Sequence, residues 1–171
     1  ELFSPYIVRF SNTGVVEASY TRAVTALTQS GCDVEFVDSS GRVLASCVVG
    51  ALENQAGLPE NARMAVLRLN ADLTADTSFG SNGQALVNIA PTGFSDVYAS
   101  SVTQDAAGNY LLTGSAESDT AEQAVIARIS SAGVVDASYG TGGLAISTVA
   151  NGSSEEIDVD SSGRAYVCGE A

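Results

Sequence analysis

Tyr6-Ile-Val-Arg-Phe-Ser-Asn-Thr-Gly-Val-Val-Glu-Ala-Ser-Tyr20 returns twice along the chain. It reappears as Ala65-Val-Leu-Arg-Leu-Asn-Ala-Asp-Leu-Thr-Ala-Asp-Thr-Ser-Phe79 and as Val125-Ile-Ala-Arg-Ile-Ser-Ser-Ala-Gly-Val-Val-Asp-Ala-Ser-Tyr139. Arg9, Arg68 and Arg128 stand 59 and 60 residues apart, and Tyr20, Phe79 and Tyr139 each follow their arginine by eleven positions. A period of this size marks an array of supersecondary units that bury their apolar faces against one another.

A second element keeps the same beat: Asp38-Ser-Ser-Gly41-Arg42, Asp105-Ala-Ala-Gly108-Asn109 and Asp160-Ser-Ser-Gly163-Arg164. The leading Asp can accept hydrogen bonds from the backbone ahead, and Gly in fourth place can take a left-handed conformation. Together these suit a type I turn that closes a hairpin with a glycine bulge. Strands are expected on either side of each turn, over 33–37 and 43–48, 97–104 and 110–114, and 157–159 and 165–168. Segments 23–27, 85–89 and 144–149 precede the hairpins, and an arginine strand follows each of the first two. Gly80-Ser-Asn-Gly83, Pro91-Thr-Gly93, Gly140-Thr-Gly-Gly143 and Asn151-Gly152 punctuate the chain between them.

Four short antiparallel strands per sixty residues, with no long amphipathic helix, predict an all-β chain of β-propeller blades. A β-sandwich shares the local signals but has no need of a period. The expected organisation is one repeat array over 1–171, with a blade fragment at 1–20, blades at 21–72 and 80–133, and a partial blade at 140–171. That is about three blade equivalents, fewer than the four to eight of closed propellers. The chain is therefore expected to be a piece of a larger propeller, or to complete one by pairing its edges at 6–10 and 164–168 with another copy.

Composition narrows the chemistry. The 171 residues are 45% hydrophobic, enough for a sizeable core. Twenty acidic residues against seven arginines, with no lysine, leave a net charge of -13. Such a field repels nucleic acid and anionic lipid and leaves proteins or glycans as the expected partners. No apolar run approaches the eighteen or so residues of a membrane-spanning helix, so no membrane insertion is expected. The opening Glu1-Leu-Phe-Ser-Pro5 has neither an initiating Met nor a signal-peptide pattern, and reads as the start of a processed or excised piece.

The absence of histidine removes the usual general base and the commonest zinc ligand, and the absence of lysine removes Schiff-base and P-loop chemistry. Carboxylate chemistry or binding remains. Asp158, Asp160 and Ser162 match the first half of a calcium loop. Gly169 stands where the twelfth-position acid belongs, and Phe36 and Thr103 replace Asp158 in the other copies, so a plain acidic hairpin is preferred. A carbohydrate-active enzyme built on paired carboxylates is the rival to a non-catalytic module. The three arginines could line a binding face. The expectation is instead that each packs its stem between blades and pairs with its own Glu17, Asp76 or Asp136, with Tyr20, Phe79 and Tyr139 as inter-blade wedges.

The pattern Arg-Leu/Ile-x-x-x-Gly-x-x-Asp-x-Ser-Phe/Tyr-Gly-x-x-Gly, then Asp-x-x-Gly-Arg/Asn-x-x-x-x-Gly, resembles the bacterial delta-sixty repeat. The resemblance covers nearly the whole chain. Arg128, Gly133, Asp136, Ser138, Tyr139, Gly140, Gly143, Asp160, Gly163 and Gly169 match it best. The second copy has Leu73 for a glycine, and the first has Glu17 for Asp and Thr21-Arg22 for the glycine turn. The resemblance implies a propeller-type fold in a secreted or cell-surface protein, with no catalytic residues. Variable contact surface is expected at 91–96 and above all at the long excursion 50–62.

Cys32 and Cys47 flank the first hairpin. A two-residue turn pairs residues whose numbers sum to 79 and sets the cysteines opposite each other. The glycine-bulge turn shifts the sum to 80, placing Cys32 against Val48 and Cys47 against Asp33, so no disulfide is expected between them.

Overall fold

The computed structural model describes residues 6–21, 28–53 and 59–171. Among them the chain is all β and contains no helix. Its strands are β1 (Tyr6–Phe10), β2 (Val16–Thr21), β3 (Thr28–Val37), β4 (Val43–Glu53), β5 (Pro59–Leu69), β6 (Gln84–Val87), β7 (Asp96–Gln104), β8 (Tyr110–Glu117), β9 (Glu122–Ile129), β10 (Leu144–Ile146), β11 (Glu156–Val159) and β12 (Ala165–Cys168). They form two four-stranded antiparallel sheets, β3-β4-β5-β6 and β7-β8-β9-β10, between two-stranded units β1-β2 and β11-β12. This is the architecture of a partial β-propeller.

Each hairpin is closed by its Asp-x-x-Gly turn. The Asp38 carboxylate accepts hydrogen bonds from the Ser40 and Arg42 amides, both at 2.9 Å. Asp105 does the same for Ala107 and Asn109, and Asp160 for Ser162 and Arg164. Gly41, Gly108 and Gly163 take φ of 77°, 84° and 80°, a region that costs a side chain but not glycine. The turns return the chain with Val37 opposite Val43, Gln104 opposite Tyr110 and Val159 opposite Ala165.

The blades are phased one strand later than the sequence suggests. Segment 85–89 is expected to open the second blade. Instead β6 closes the first, pairing Met64 with Val87 and Leu67 with Gln84 on the arginine strand. β10 likewise pairs with β9. The units therefore run over 28–87 and 96–146 rather than 21–72 and 80–133. The cause is the tight return after each arginine strand: the Arg68 amide bonds the Gly83 carbonyl, and its carbonyl accepts from the Asp76 amide. At the bend of that return a Cβ on Gly80 would lie 2.1 Å from the Gln84 carbonyl oxygen, so only glycine fits. Segment 23–27 lies outside the described residues. The excursion 50–62 is largely strand, since β4 continues to Glu53 and β5 begins at Pro59; 54–58 lie outside the described residues.

Alternation along the strands divides the core in two. One face of the first blade, carrying Leu44, Met64, Val66, Ala85 and Val87, packs against Val102, Tyr110, Leu112, Val125, Ala127 and Ile129 of the second. The opposite face, carrying Val43, Ala45, Cys47, Ala65, Leu67 and Leu69, receives Ile7 from β1. The first strands of successive units run alongside one another, with β7 touching both β3 and β11.

Cys32 and Cys47 form a disulfide, with Cα atoms 4.1 Å apart, correcting the expectation from the turn. The glycine-bulge turn does set Val37 against Val43 and Phe36 against Leu44, a sum of 80. A second bulge at Glu35 then takes up one residue of β3, so that Val34 faces Ala45 and Cys32 faces Cys47. Cys168 is a free, exposed thiol. A thiol titration of the native chain is expected to count one reactive cysteine, rising to three after reduction in denaturant. Replacing both Cys32 and Cys47 by Ser reopens a loop with a sequence separation of 15. It should lower the unfolding free energy by about 3 kcal/mol, measured by urea denaturation.

Candidate functional site

Two of the recurring arginines, Arg9 and Arg68, sit between units. Arg68 is 3% exposed. Its Nε donates to Asp76 Oδ2 at 2.8 Å and its Nη2 to Ser78 Oγ at 3.3 Å, both within its own repeat. Its Nη1 crosses to the second blade and donates to the Ser131 carbonyl at 2.8 Å and the Tyr110 hydroxyl at 3.2 Å. The guanidinium lies 4.4 Å over the Phe79 ring, which meets Tyr110 edge-on at 5.6 Å. Burial works against the Asp76 carboxylate. Its hydrogen bonds from Ser78 and the charge of Arg68 nevertheless hold its pKa below the ordinary value.

Arg9 pairs with Glu17 at 3.0 Å, and its Nη1 donates to the Ala71 carbonyl of the first blade. Arg128 pairs with Asp136 at 2.6 Å and lies 4.8 Å over the Tyr139 ring. Hydrogen bonds from Ser138, then the Arg128 partner, lower the Asp136 pKa to about 2. The acceptors Ala71 and Ser131 each stand three residues after the arginine of the following repeat, so the contact recurs with the period. The sequence expectation packed each arginine's stem between blades and paired it with its own acid, without this hydrogen bond from one repeat to the next. Tyr20 lies partly buried beside Ile7, at the contact between β1-β2 and the first blade.

A second constellation gathers where the first strands meet. Glu35 from β3, Ser101 from β7 and Glu156 from β11 converge on one hydroxyl. Ser101 Oγ lies 3.1 Å from Glu35 Oε2 and 3.2 Å from Glu156 Oε2. Ser46 Oγ donates to Glu35 Oε1 at 2.6 Å. Phe36, Thr103, Gln104 and Ile157 join them in a groove of about 350 Å³. A hydroxyl has one hydrogen, so Ser101 can satisfy one of the two carboxylates at a time. Burial, above all, raises the Glu35 pKa; hydrogen bonds from Ser46 and Ser101 oppose this, and the nearby charges of Glu156 and Asp33 add to it. The conformational signal for this site is the Glu35 bulge, which no local pattern announces.

The calcium reading finds Asp160 otherwise engaged. Its Oδ1 holds the turn amides, and its Oδ2 accepts from Arg164 Nε at 2.6 Å and from the Tyr166 hydroxyl at 3.2 Å. Asp158 accepts from the Val159 amide. Among the described residues no group of three or more His, Cys, Asp or Glu side chains is placed to hold a metal ion. Glu156, two residues before Asp158, belongs to the groove.

Residues 48–79 match the model of a family described as a domain of unknown function, the DUF5122 beta-propeller. They span the end of β4, the arginine strand and the return that follows it. A search of curated proteins finds no match to the chain.

Two outcomes follow from these contacts. Arg68→Ala leaves Asp76 buried without its partner and should cost about 3–5 kcal/mol in chemical denaturation. Arg128→Ala, whose side chain is a third exposed, should cost under about 1 kcal/mol. Glu35 bears on the pH profile. Its pKa is raised above 4.5 in the folded state, so its contribution to stability is fully present below 4.5 and is lost as pH rises through the folded value. Asp76, Asp105 and Asp136 act in the opposite sense, losing stability as pH falls below 3.8. Glu35→Gln should therefore melt higher than the native chain at pH 7, with the difference closing below pH 4.5 in a melting series.

Proposed function

We propose that this chain is a non-catalytic propeller repeat module, of the delta-sixty kind, from a secreted or cell-surface protein, and that it binds a glycan or a protein segment through the groove between its first strands. The observation that carries this is the convergence of Glu35, Ser101 and Glu156 from three successive units on one groove. Gln104 and Thr103 add amide and hydroxyl partners, and Phe36 an apolar face, a mixture suited to hydroxyl-rich ligands. The Cys32–Cys47 disulfide supports an oxidising compartment. The net charge of -13 speaks against nucleic acid as the partner.

One observation favours a second reading. Glu35 and Glu156 are carboxylates that both lie within hydrogen-bond distance of one Ser hydroxyl, and two closely set carboxylates are what glycoside hydrolysis requires. Their engagement with Ser101 and Ser46 favours binding over catalysis. Screening the chain on a glycan array, followed by calorimetric titration with the best neutral oligosaccharide, separates the two. Saturable binding without release of reducing ends is expected, weakened at least about tenfold in Glu156→Gln. Turnover that Glu35→Gln abolishes would establish the enzyme instead. Failure to bind any glycan would turn the search to peptides.

A further inference from the structure

The groove between the first strands is short of both positive charge and hydrogen-bond donors. Among the described residues Arg9, Arg42, Arg68, Arg128 and Arg164 pair with Glu17, Asp38, Asp76, Asp136 and Asp160, each an acid of the same repeat. Neither Glu35 nor Glu156 is among these partners. The charges that act on Glu35 come from Glu156 and Asp33, and both are negative. Ser46 Oγ has one hydrogen and two acceptors within reach, Glu35 Oε1 at 2.6 Å and the Ser100 carbonyl at 3.1 Å. Ser101 Oγ has one hydrogen between Glu35 Oε2 and Glu156 Oε2.

Elsewhere the chain shows how this fold holds a cation. Around the Arg68 guanidinium it sets the Asp76 carboxylate, the Ser78 hydroxyl and the Phe79 ring. The hydroxyl works in both directions, donating to Asp76 and accepting from Arg68. The groove brings together the same kinds of group, with Glu35, Ser101 and Phe36, and adds Glu156.

Resting on the glycan reading of this groove, we propose that its ligand is a sugar carrying a free amine, held with the ammonium among Glu35 Oε2, Glu156 Oε2 and Ser101 Oγ. A primary ammonium has three N–H donors, one for each of these oxygens. Its bonds to the two carboxylates are charge-assisted and stronger than those of a neutral hydroxyl. The acceptors also suit a compact charge better than a planar one. Glu35 Oε1 is held by Ser46, so the two-pronged fork of a guanidinium finds only one oxygen free at Glu35. Phe36 and Ile157 offer apolar surface to the C–H face of the ring, and Thr103 a hydroxyl to its own hydroxyls.

Calorimetric titration with the tetrasaccharide of β-1,4-linked glucosamine, and with its fully N-acetylated counterpart, tests this at a pH where the amines are protonated and the glutamates ionised. N-acetylation keeps the ring and removes the charge together with two of the three N–H groups. The free-amine sugar is expected to bind at least about tenfold tighter than the acetylated one. Glu35→Gln and Glu156→Gln should each bring that ratio to within about threefold, with circular dichroism showing both variants folded. Equal affinity for the two sugars, or a ratio that neither substitution changes, would overturn the amine and leave the glycan groove standing. If neither these sugars nor any glycan on the array binds, the groove reading fails and the inference with it. A short arginine-bearing peptide that binds more tightly than the amine sugar would assign the cation to a protein partner and overturn the proposal as well.

Discussion

The buried Arg68 guanidinium is the contact on which the array depends. A cation removed from water is tolerated only when paired and hydrogen-bonded, and Arg68 achieves this by drawing on two blades at once. Asp76 and Ser78 come from the return of its own repeat, and Tyr110 and Ser131 from the next blade. Satisfying one charge thus fixes the return after the arginine strand, the spacing between sheets and the seating of Phe79 against Tyr110. The eleven-residue interval from arginine to aromatic, repeated three times, is the sequence trace of that requirement.

The bulge at Glu35 has a different reach. One extra residue in β3 brings Cys32 opposite Cys47, and the bulged residue is the same Glu35 that reaches Ser101 beside Glu156. Covalent closure of the first hairpin and the acidic groove thus share one backbone irregularity. The groove places a pair of carboxylates on one hydroxyl, and the charge of Glu156 acts in the same direction as burial on the Glu35 pKa, against the hydrogen bonds from Ser46 and Ser101.

Departures from the repeat are paired across contacts. Leu73 occupies the position of Gly133 and takes a φ of 63°. Gly133 is pressed against Gly80, whereas Leu73 packs into the cluster around Ile7, Ala18 and Tyr20. The first repeat has Thr21 where Gly80 and Gly140 stand, so the contact that demands glycine between the two blades is replaced there by an apolar one.

Much of this was legible in the residues, and the division follows range. Asp-x-x-Gly turns, strand alternation, the sixty-residue period and the pairing of each arginine with its own acid are set by interactions within a few residues or one repeat, and the sequence alone determined them. The side of the arginine strand on which β6 lies was not legible, because a short apolar segment reads the same beside the strand before it or after it. The bonds from Arg9 and Arg68 to the next repeat, the disulfide and the Glu35–Ser101–Glu156 groove were decided by the tertiary structure. Each joins groups far apart in the chain, and each turns on a one-residue shift of register or a packing distance between sheets that no local pattern encodes.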